Sequence, residues 1–356
     1  MKVTFLVGNG FDIAAGIDTS YRGFYNWYCN QPDDSDIVQK LKQEIKEDIS
    51  NGRETWADFE IGLGQFTKKF EYDAGVEFLN CYEDAHDKLV EYIENEKNRG
   101  ELSVIESEMN QFGDGLLKFY QELPPKERQS IVSLLEKDKA NDTLMQFISF
   151  NYTDVLDQCV RMLAKKVLNS WTFSNITHAF RVASSVIHVH GTLDEYPILG
   201  VNDVSQIANP MLLSIPQFSE IMIKPESVNS IGQLWHENAS KRISDSSIVC
   251  IYGMSLGDSD AIWWKNLMSW LTSDPDRHLI IYWYTDSLQD RISILKRNRE
   301  IAKVKSRIMS FLNTPKDISE LIQDRIHVIL NTKKVLRISL KRTNITAPIE
   351  ENLVKA

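Results

Sequence analysis

The chain has 356 residues, of which 42% are hydrophobic and 25% are charged, and its formal net charge is −10. This length predicts a large core with room for an insertion, and the ordinary composition excludes a disordered or fibrous protein. The acidic balance argues against nucleic-acid binding over the whole surface. From Arg291 to Thr343, however, there are fourteen Lys and Arg residues and only four Asp and Glu residues. This segment is either a solvated basic face or a docking surface for RNA, DNA or an acidic partner.

The first residues and the cysteines give an expectation for the cellular compartment of the protein. The start MKVTFLVGNGF lacks the longer apolar run and the cleavage site of a signal peptide, and no run reaches the roughly 18–20 apolar residues of a membrane helix. Cys29, Cys81, Cys159 and Cys250 form no CxxC or Cys/His cluster. We therefore expect a cytoplasmic protein with reduced thiols, no structural zinc and no membrane partner.

Short apolar runs bounded by turn residues predict six buried strands. The runs are nearly continuous rather than alternating, which is typical of strands covered on both faces. Helical patterns separate them, such as Ser259–Leu271 with its apolar residues on one face. This alternation predicts an α/β protein with a Rossmann-like, doubly wound, mainly parallel sheet. The predicted strands are Lys2–Val7, Met145–Phe150, Ser185–His190, Ser247–Tyr252, Leu279–Tyr284 and Ile326–Leu330.

A long helix-periodic interval separates the first two strands. We interpret residues 33–141 as a helical insertion that covers one edge of the sheet, with Pro124-Pro125 breaking it before a last helix. Residues 1–32 and 142–345 then form the nucleotide-binding core, and residues 346–356 form a tail. Trp171–Ala183 and Val201–Ser230 are predicted as loops with short helices. Long amphipathic helices in the insertion would suit either self-association or a lid.

Ligands of an open parallel sheet bind beyond the carboxyl ends of the strands, so the turns that follow the strands are candidate sites. After the first strand, Gly8 and Gly10 permit close backbone approach to a phosphate, with Asn9 between them. Asp12 would cap the next helix if this turn were only structural. The third glycine of the dinucleotide fingerprint is absent, because Ile13 occupies its position.

The second turn is FNYTD, where Asn151 follows a strand directly and has an amide that both donates and accepts hydrogen bonds. It could orient a water or a ribose hydroxyl, whereas a structural reading makes Asn151 or Thr153 the cap of a helix near Asp154.

The third turn ends the strand SVIHVH with Gly191. Alternation places His188 and His190 on one face, with His190 at the rim, where it could act as a base, and His188 in a core role. No third metal ligand is spaced nearby, so we expect no metal.

The fourth turn, YGMSLGDSD, brings Gly253 and Ser255 between a strand and a helix, as an anion- or ribose-binding turn requires. The structural alternative is a helix capped by Ser259 or Asp260. The occurrence of unusual turns after four separate strands favours a nucleotide pocket.

In this order, the segments GNGFD, TSY, Trp56-x-x-Phe59-Glu60, FNYTD, the histidine-glycine strand end and GMSLGDSD resemble the AbiH family of bacterial abortive-infection proteins. The resemblance runs to about residue 265. It implies a cytoplasmic effector that a phage-derived trigger activates and that stops growth of the host.

A more distant resemblance is to the sirtuin-like NAD-binding fold, whose positions match Gly8 and Gly10, Asn151, His190 with Gly191, and Gly253 with Ser255. It implies that the substrate is NAD, with no metal, and that the products are nicotinamide and ADP-ribose. Two positions depart from that fold: Thr153 replaces an acidic residue, with Asp154 one place later, and Asn9 replaces an alanine.

The resemblance implies a role for each part of the pocket. Asn151 would position the water or a ribose hydroxyl, and His190 would act as general base. Gly8, Asn9 and Gly10 would hold the pyrophosphate, and Ser255 a ribose or phosphate. Asp286 would either contact the adenosine ribose or be a surface carboxylate. The remaining predicted nucleotide-binding residues are Asp12, Thr153, Asp154, Gly191, Gly253 and Asp260.

Two other functions stay open at this point. One is a nucleotide sensor without catalysis, which signals through the helical insertion. The other is an RNA- or DNA-directed effector that uses Lys333, Lys334, Arg337, Lys341 and Arg342.

Overall fold

The structure, a computed structural model, describes residues 1–32, 35–52, 56–99, 106–138, 142–164, 168–173, 176–286, 293–312 and 321–338. For residues 106–107, 168–173 and 176–178 it describes only the backbone. Among the described residues, seven strands form one sheet in the order β3-β4-β2-β1-β5-β6-β7. All neighbours are parallel except β3, which pairs antiparallel with β4 at one edge. The strands are β1 Lys2–Val7, β2 Thr143–Ser149, β3 Leu168–Phe173, β4 Ile176–His188, β5 Ile248–Tyr252, β6 His278–Trp283 and β7 Ile326–Leu330.

The helices of the described residues lie between and around these strands. They are α1 Gly10–Ala15, α2 Tyr21–Tyr28, α3 Asp36–Ser50, α4 Phe59–Phe66, α5 Gly75–Asn98, α6 Glu106–Leu117, α7 Pro125–Lys137, α8 Val155–Ala164, α9 Phe218–Met222, α10 Lys224–Ser230, α11 Trp235–Ser244, α12 Ala261–Thr272 and α13 Ile294–Met309. None of the helices in these ranges has the length and apolar composition needed to cross a bilayer.

Alternation along the strands separates two hydrophobic cores, one on each face of the sheet. In β1, Val3, Phe5 and Val7 pack with α6, α7 and α8, whereas Leu6 packs with α11, α12 and α13. Both faces of the sheet are therefore covered by helices, which is why its central strands consist of nearly continuous apolar residues. The prediction of an α/β protein with a mainly parallel sheet is confirmed.

A third core lies in the helices that follow β1. It combines residues of α2, α3, α4 and α5 with residues 199–223, many of them aromatic. Phe24 stacks on Tyr28 with ring centroids 5.1 Å apart, and Phe59 packs edge-on against both Phe24 and Tyr25. The last two helices of the interval 33–141, α6 and α7, pack instead on the sheet. The division of the chain into domains stays a prediction, and its tail 346–356 lies outside the described residues.

The structure corrects the prediction for Trp171–Ala183. The described residues of this segment, 171–173 and 176–183, belong to the antiparallel strands β3 and β4 rather than to a loop with short helices. A continuous apolar run indicates a strand that is covered on both faces. In β4, however, Arg181, Ser184 and Ser185 are exposed near the sheet edge. A strand that is only half covered does not show such a run. The other long segment, Val201–Ser230, consists of loops with short helices as predicted.

The turns after β1 and β5 are in direct backbone contact. Gly8 N donates to Tyr252 O at 2.9 Å, and Gly10 N donates to Gly253 O at the same distance. A Cβ added to Gly10 would lie 2.6 Å from Gly253 Cα, and Gly253 itself has φ +68. Glycine is required here because neither backbone leaves room for a side chain.

Gly253→Ala should therefore lower the free energy of unfolding much more than Gly232→Ala. Both glycines have positive φ, +68 and +70, so both substitutions carry the strain of about 1–2 kcal/mol that an L residue meets there. Only at position 253 does the new Cβ meet backbone, 2.8 Å from Phe11 N, and overpacking adds roughly 1–3 kcal/mol. Urea unfolding of the two variants measures the difference, and equal losses would show that the turns do not depend on their close contact.

Candidate functional site

A cavity of about 360 Å³ lies at the carboxyl ends of β1, β2, β4 and β5. The four turns predicted from the sequence all contribute to its wall, and it is completed by parts of α2, α4 and α5 and by the residues just before α2 and α4. The predicted site residues that line it are Gly8, Asn9, Asp12, Asn151, Thr153, His190, Gly253, Ser255 and Asp260. The sheet thus brings together turns that are up to 250 residues apart in the chain, as expected for parallel strands.

Four predicted site residues do not line this cavity. Gly10 packs against Gly253, and Gly191, with φ +72, forms a turn in which a Cβ would lie 2.0 Å from Tyr196 O. Asp154 pairs with Lys97 at 2.7 Å and borders a second cavity of about 200 Å³. Asp286 is exposed beyond β6, where its Oδ1 accepts a hydrogen bond from the Tyr284 hydroxyl at 2.6 Å.

The glycine turn after β1 is less open to a phosphate than its sequence predicts. The amides of Gly8 and Gly10 both donate to carbonyls of the β5 turn, so neither is available to a ligand in this conformation. Asn9 occupies the N-cap position of α1 and lines the cavity. The two glycines therefore hold the β1 and β5 turns together, which is a structural role.

Asp12 is buried, with 1% of its surface exposed, and it does not cap α1 because it lies within the first turn of that helix. Its Oδ2 accepts a hydrogen bond from the Thr153 hydroxyl at 2.8 Å, whereas its Oδ1 makes no hydrogen bond to any described residue. Burial raises the pKa of Asp12 to about 7, although Thr153 and the nearby Asn151 amide favour the ionised form. Asp12 therefore exists in both protonation states near neutral pH.

Asn151 presents an unpaired amide to the cavity. Its backbone is held on both sides, because its N–H donates to Ser149 Oγ at 3.1 Å and its carbonyl lies 2.9 Å from His188 Nδ1. Neither Oδ1 nor Nδ2 of its side chain makes a hydrogen bond within the described part of the chain, and both atoms are buried. A buried amide without partners costs free energy, so this side chain is suited to a ligand that supplies them.

The two histidines at the end of β4 have different surroundings. His188 Nε2 lies 2.7 Å from Asp157 Oδ2 at the second cavity, and although burial opposes it, this carboxylate raises the pKa of His188. His190 lines the first cavity and packs edge-on against Phe150. β4 ends at His188, so the strand alternation that would place both imidazoles together does not extend to His190.

His190 is held in its neutral form. Burial lowers the pKa of His190 to about 4, and the positive charge of Lys224 acts in the same direction. Its Nε2 lies 3.2 Å from Asp260 Oδ1 but without the alignment of a hydrogen bond. An imidazole with so low a pKa can donate and accept hydrogen bonds at pH 7 but is a weak base.

Next to His190, three charged side chains form a cluster, in which Lys224 and Glu60 are buried and Asp260 is half-buried. The ammonium of Lys224, which is 3% exposed, donates to Glu60 Oε2 at 2.8 Å, to Asp260 Oδ1 at 2.9 Å and to Ser259 O at 3.2 Å. Burial works against each charge. The Lys224 ammonium nevertheless keeps the pKa of Asp260 well below its usual range, whereas burial dominates at Glu60 and raises its pKa.

The sequence did not reveal several residues of the site. Lys224 lies in the first turn of α10, in a stretch of loops and short helices where no motif marks it. Asp58 caps α4 and accepts a hydrogen bond from Ser259 Oγ at 2.7 Å, and Thr19 and Arg22 line the cavity near the start of α2. Two segments that carry part of the family resemblance could have indicated this part of the cavity wall. They are the TSY segment and the segment from Trp56 to Glu60.

The cavity wall contains several carboxylates, which are possible ligands for a cation. Among the described residues, no three His, Cys, Asp or Glu side chains converge as metal ligands would. Asp58, Glu60 and Asp260 line the cavity, but Ser259 and Lys224 already contact their oxygens. The expectation that no metal takes part stays a prediction.

We predict that Asp12→Asn stabilises the protein increasingly as the pH rises. The folded-state pKa of about 7 lies above the usual 3.8, so the contribution of Asp12 to stability is greatest below pH 3.8 and is lost as the pH rises through 7. The advantage of the variant should grow on the order of 2–3 kcal/mol between pH 5 and pH 8. Urea unfolding at both pH values measures it, with the exposed Asp286→Asn as control. A constant difference between variant and wild type would contradict the burial of an ionisable Asp12.

Lys224→Ala should lower the free energy of unfolding by roughly 3–5 kcal/mol at pH 7, because it leaves the ionised Asp260 and the buried Glu60 without their cation. The matched control is Lys69→Ala, since Lys69 forms a 2.6 Å ion pair with Glu44 at the surface and should contribute less than about 1 kcal/mol. Denaturant unfolding compares the two. Similar losses would mean that water reaches the Lys224 cluster.

Comparison with known proteins identifies the family. The family described as Bacteriophage abortive infection AbiH matches residues 4–282, a range that contains all four turns around the cavity. A comparison with curated proteins finds no match. The family resemblance of the sequence motifs is thereby confirmed. The chain belongs to the AbiH family, which indicates a role in abortive-infection defence against bacteriophage.

Proposed function

We propose that the protein hydrolyses NAD to nicotinamide and ADP-ribose in the cavity at the carboxyl ends of the strands. One observation carries this proposal. Five buried polar atoms of the cavity wall make no hydrogen bond within the described residues: Asp12 Oδ1, Thr19 Oγ1, Asn151 Oδ1, Asn151 Nδ2 and His190 Nε2. Buried polar groups are almost always paired, so a wall with this many free groups suits a ligand rich in hydroxyl and amide groups. The nicotinamide riboside half of NAD has both.

The topology supports a nucleotide ligand. When only the parallel strands are counted, their order β4-β2-β1-β5-β6-β7 is that of a dinucleotide-binding sheet, in which the chain winds first to one side of β1 and then to the other. The cavity lies at β1, where the direction reverses. Its volume of about 360 Å³ falls at the lower end of the range for small-molecule sites.

The charges of the wall support cleavage of a glycosidic bond. Breaking the nicotinamide–ribose bond develops positive charge on the ribose, as in glycoside hydrolysis. Asp58 and Asp260 line the cavity, and the Lys224 ammonium keeps the pKa of Asp260 low. The negative charge of these two carboxylates would favour that transition state. A site for a multiply charged phosphate alone would need the opposite sign.

In this proposal Asn151 orients the attacking water or a ribose hydroxyl, and neutral His190 contacts the ribose. Ser255 faces a ribose or phosphate oxygen from the β5 turn. Because the amides of Gly8 and Gly10 already have partners, the pyrophosphate would lie against Asn9 and the exposed Arg22, whose guanidinium is suited to phosphate oxygens. Asp286 lies outside the cavity, and its contact with the adenosine ribose stays a prediction.

An RNA- or DNA-directed effector is the second candidate. The observation in its favour is α13, which has six Lys and Arg residues and one Glu. Lys296, Arg299 and Lys303 are exposed on it. Lys341 and Arg342, which were predicted to take part, lie outside the described residues. Self-association through the insertion, a phage-derived trigger and a purely sensory role also stay predictions.

The test follows NAD and ADP-ribose over time in extracts of phage-challenged cells that express either wild type or Asn151→Ala/His190→Ala. We expect NAD to fall with a matching rise in ADP-ribose only in wild type, because the double variant loses three of the five free polar atoms. The loss should be at least about 100-fold in rate.

Asn26→Ala/His86→Ala is the matched control, since it makes the same two replacements at residues that do not line the cavity. It should behave as wild type. Growth arrest with constant NAD in wild type would contradict the proposal, and degradation of RNA in the same cells would then favour the second candidate.

A further inference from the structure

Asp12 combines three features that no other carboxylate of the cavity wall shares. Its side chain is buried, and one of its carboxyl oxygens has no hydrogen-bond partner among the described residues. The side chain also lines the cavity, beside Asn151. Asp58, Glu60 and Asp260, by contrast, are held by Ser259 or Lys224. The Thr153 hydroxyl fixes the orientation of the Asp12 carboxyl through Oδ2, which leaves Oδ1 for a ligand.

His190 has the opposite properties. Its Nε2 lies 3.2 Å from Asp260, which Lys224 holds in turn, and its ring packs edge-on against Phe150. Protonating it would add a second positive charge beside the Lys224 ammonium, which is unfavourable in a buried site. The ring is therefore suited to contacting a substrate and poorly suited to taking up a proton.

We propose that Asp12, rather than His190, exchanges a proton with the substrate in this cavity, and that His190 positions the substrate in its neutral form. Proton transfer is most effective when the pKa of the group lies near the working pH, and burial brings the pKa of Asp12 to about 7. The other titratable groups that act on Asp12 are His188, which stabilises its charge, Asp154, which opposes it, and Cys159 of α8.

This proton transfer rests on the proposed NAD hydrolysis, and water is the only other reactant that it needs. A water oxygen forms a bond to the anomeric carbon of the ribose while the carbon–nitrogen bond to nicotinamide breaks, and the electron pair of that bond leaves with the nicotinamide ring. The water proton passes to Asp12 Oδ1 and is later released to solvent. Asn151, beside Asp12 in the wall, orients the water, and Thr153 keeps the carboxyl in place.

The first test compares Asp12→Asn with His190→Gln in extracts of phage-challenged cells, with NAD turnover measured from pH 5.5 to 8.5. Wild type should show a rising limb with a midpoint near pH 7. Asp12→Asn should lose at least about 100-fold in turnover together with that limb, whereas His190→Gln should lose less and keep the limb. Wild-type turnover in Asp12→Asn, or a limb that survives in it, would overturn the proposal.

A second measurement separates this inference from the proposed function. In the purified full-length chain with ¹³C-labelled aspartate carboxyls, the signal that Asp12→Asn removes should titrate near pH 7, and ADP-ribose should shift that midpoint. If wild type does not hydrolyse NAD, the proposed function fails, but such a titration and shift would still support proton exchange with a bound riboside. A midpoint near pH 4, or one that ADP-ribose leaves unchanged, would overturn the inference.

Discussion

The site depends on the ion pairs that the buried Lys224 ammonium forms with Glu60 and Asp260. This ammonium joins α4 of the third core, its own helix α10, and the start of α12 on the sheet, through Glu60, Asp260 and the Ser259 carbonyl. Burying three charges carries a large desolvation cost, which is tolerable only when each charge has close partners. Because the partners come from distant parts of the chain, the cluster fixes how the helices that follow β1 meet the β5 turn.

This cluster also sets the chemistry of the cavity. Asp260 is held by Lys224 and in turn lies against His190. Burial, together with the positive charge of the same ammonium, lowers the pKa of His190 and keeps the ring neutral. Asp12, which also lines the cavity, accepts a hydrogen bond from the Thr153 hydroxyl and lies near the Asn151 amide, but burial still raises its pKa. Two titratable groups with pKa values shifted in opposite directions therefore border one space, which is a common arrangement at functional sites. Such groups lower the stability of the fold, a cost that proteins often retain for function.

The sequence predicted the central sheet and the location of the cavity well, and for a physical reason. β1 and β7 have the predicted bounds, and the turns after β1, β2, β4 and β5 meet because parallel strands end at one edge. Strands covered on both faces leave a continuous apolar run that can be recognised without any knowledge of their partners. β3 and the first part of β4 leave no such run and were missed, whereas the end of β4 was predicted as the strand Ser185–His190.

The detailed roles within the site were harder to predict, because they depend on contacts between distant residues. Glu60 and Lys224 are 164 residues apart, and nothing local to either of them indicates that they pair. Gly8 and Gly10 look like a phosphate turn in sequence, but their amides bind the backbone of the β5 turn. Asp12 looks like a helix cap, yet it lies inside the first turn and points to the cavity. Motif spacing indicates which residues are unusual, whereas the fold determines what each of them contacts.

A crystal structure of the full-length protein grown with ADP-ribose would show whether the unpaired polar groups of the cavity bind a ribose. We expect density in the cavity at the carboxyl end of β1, with ribose hydroxyls within hydrogen-bond distance of Asp12 Oδ1 and the Asn151 amide. Density for the ligand elsewhere on the protein, with Asp12 and Asn151 left unpaired, would contradict this expectation.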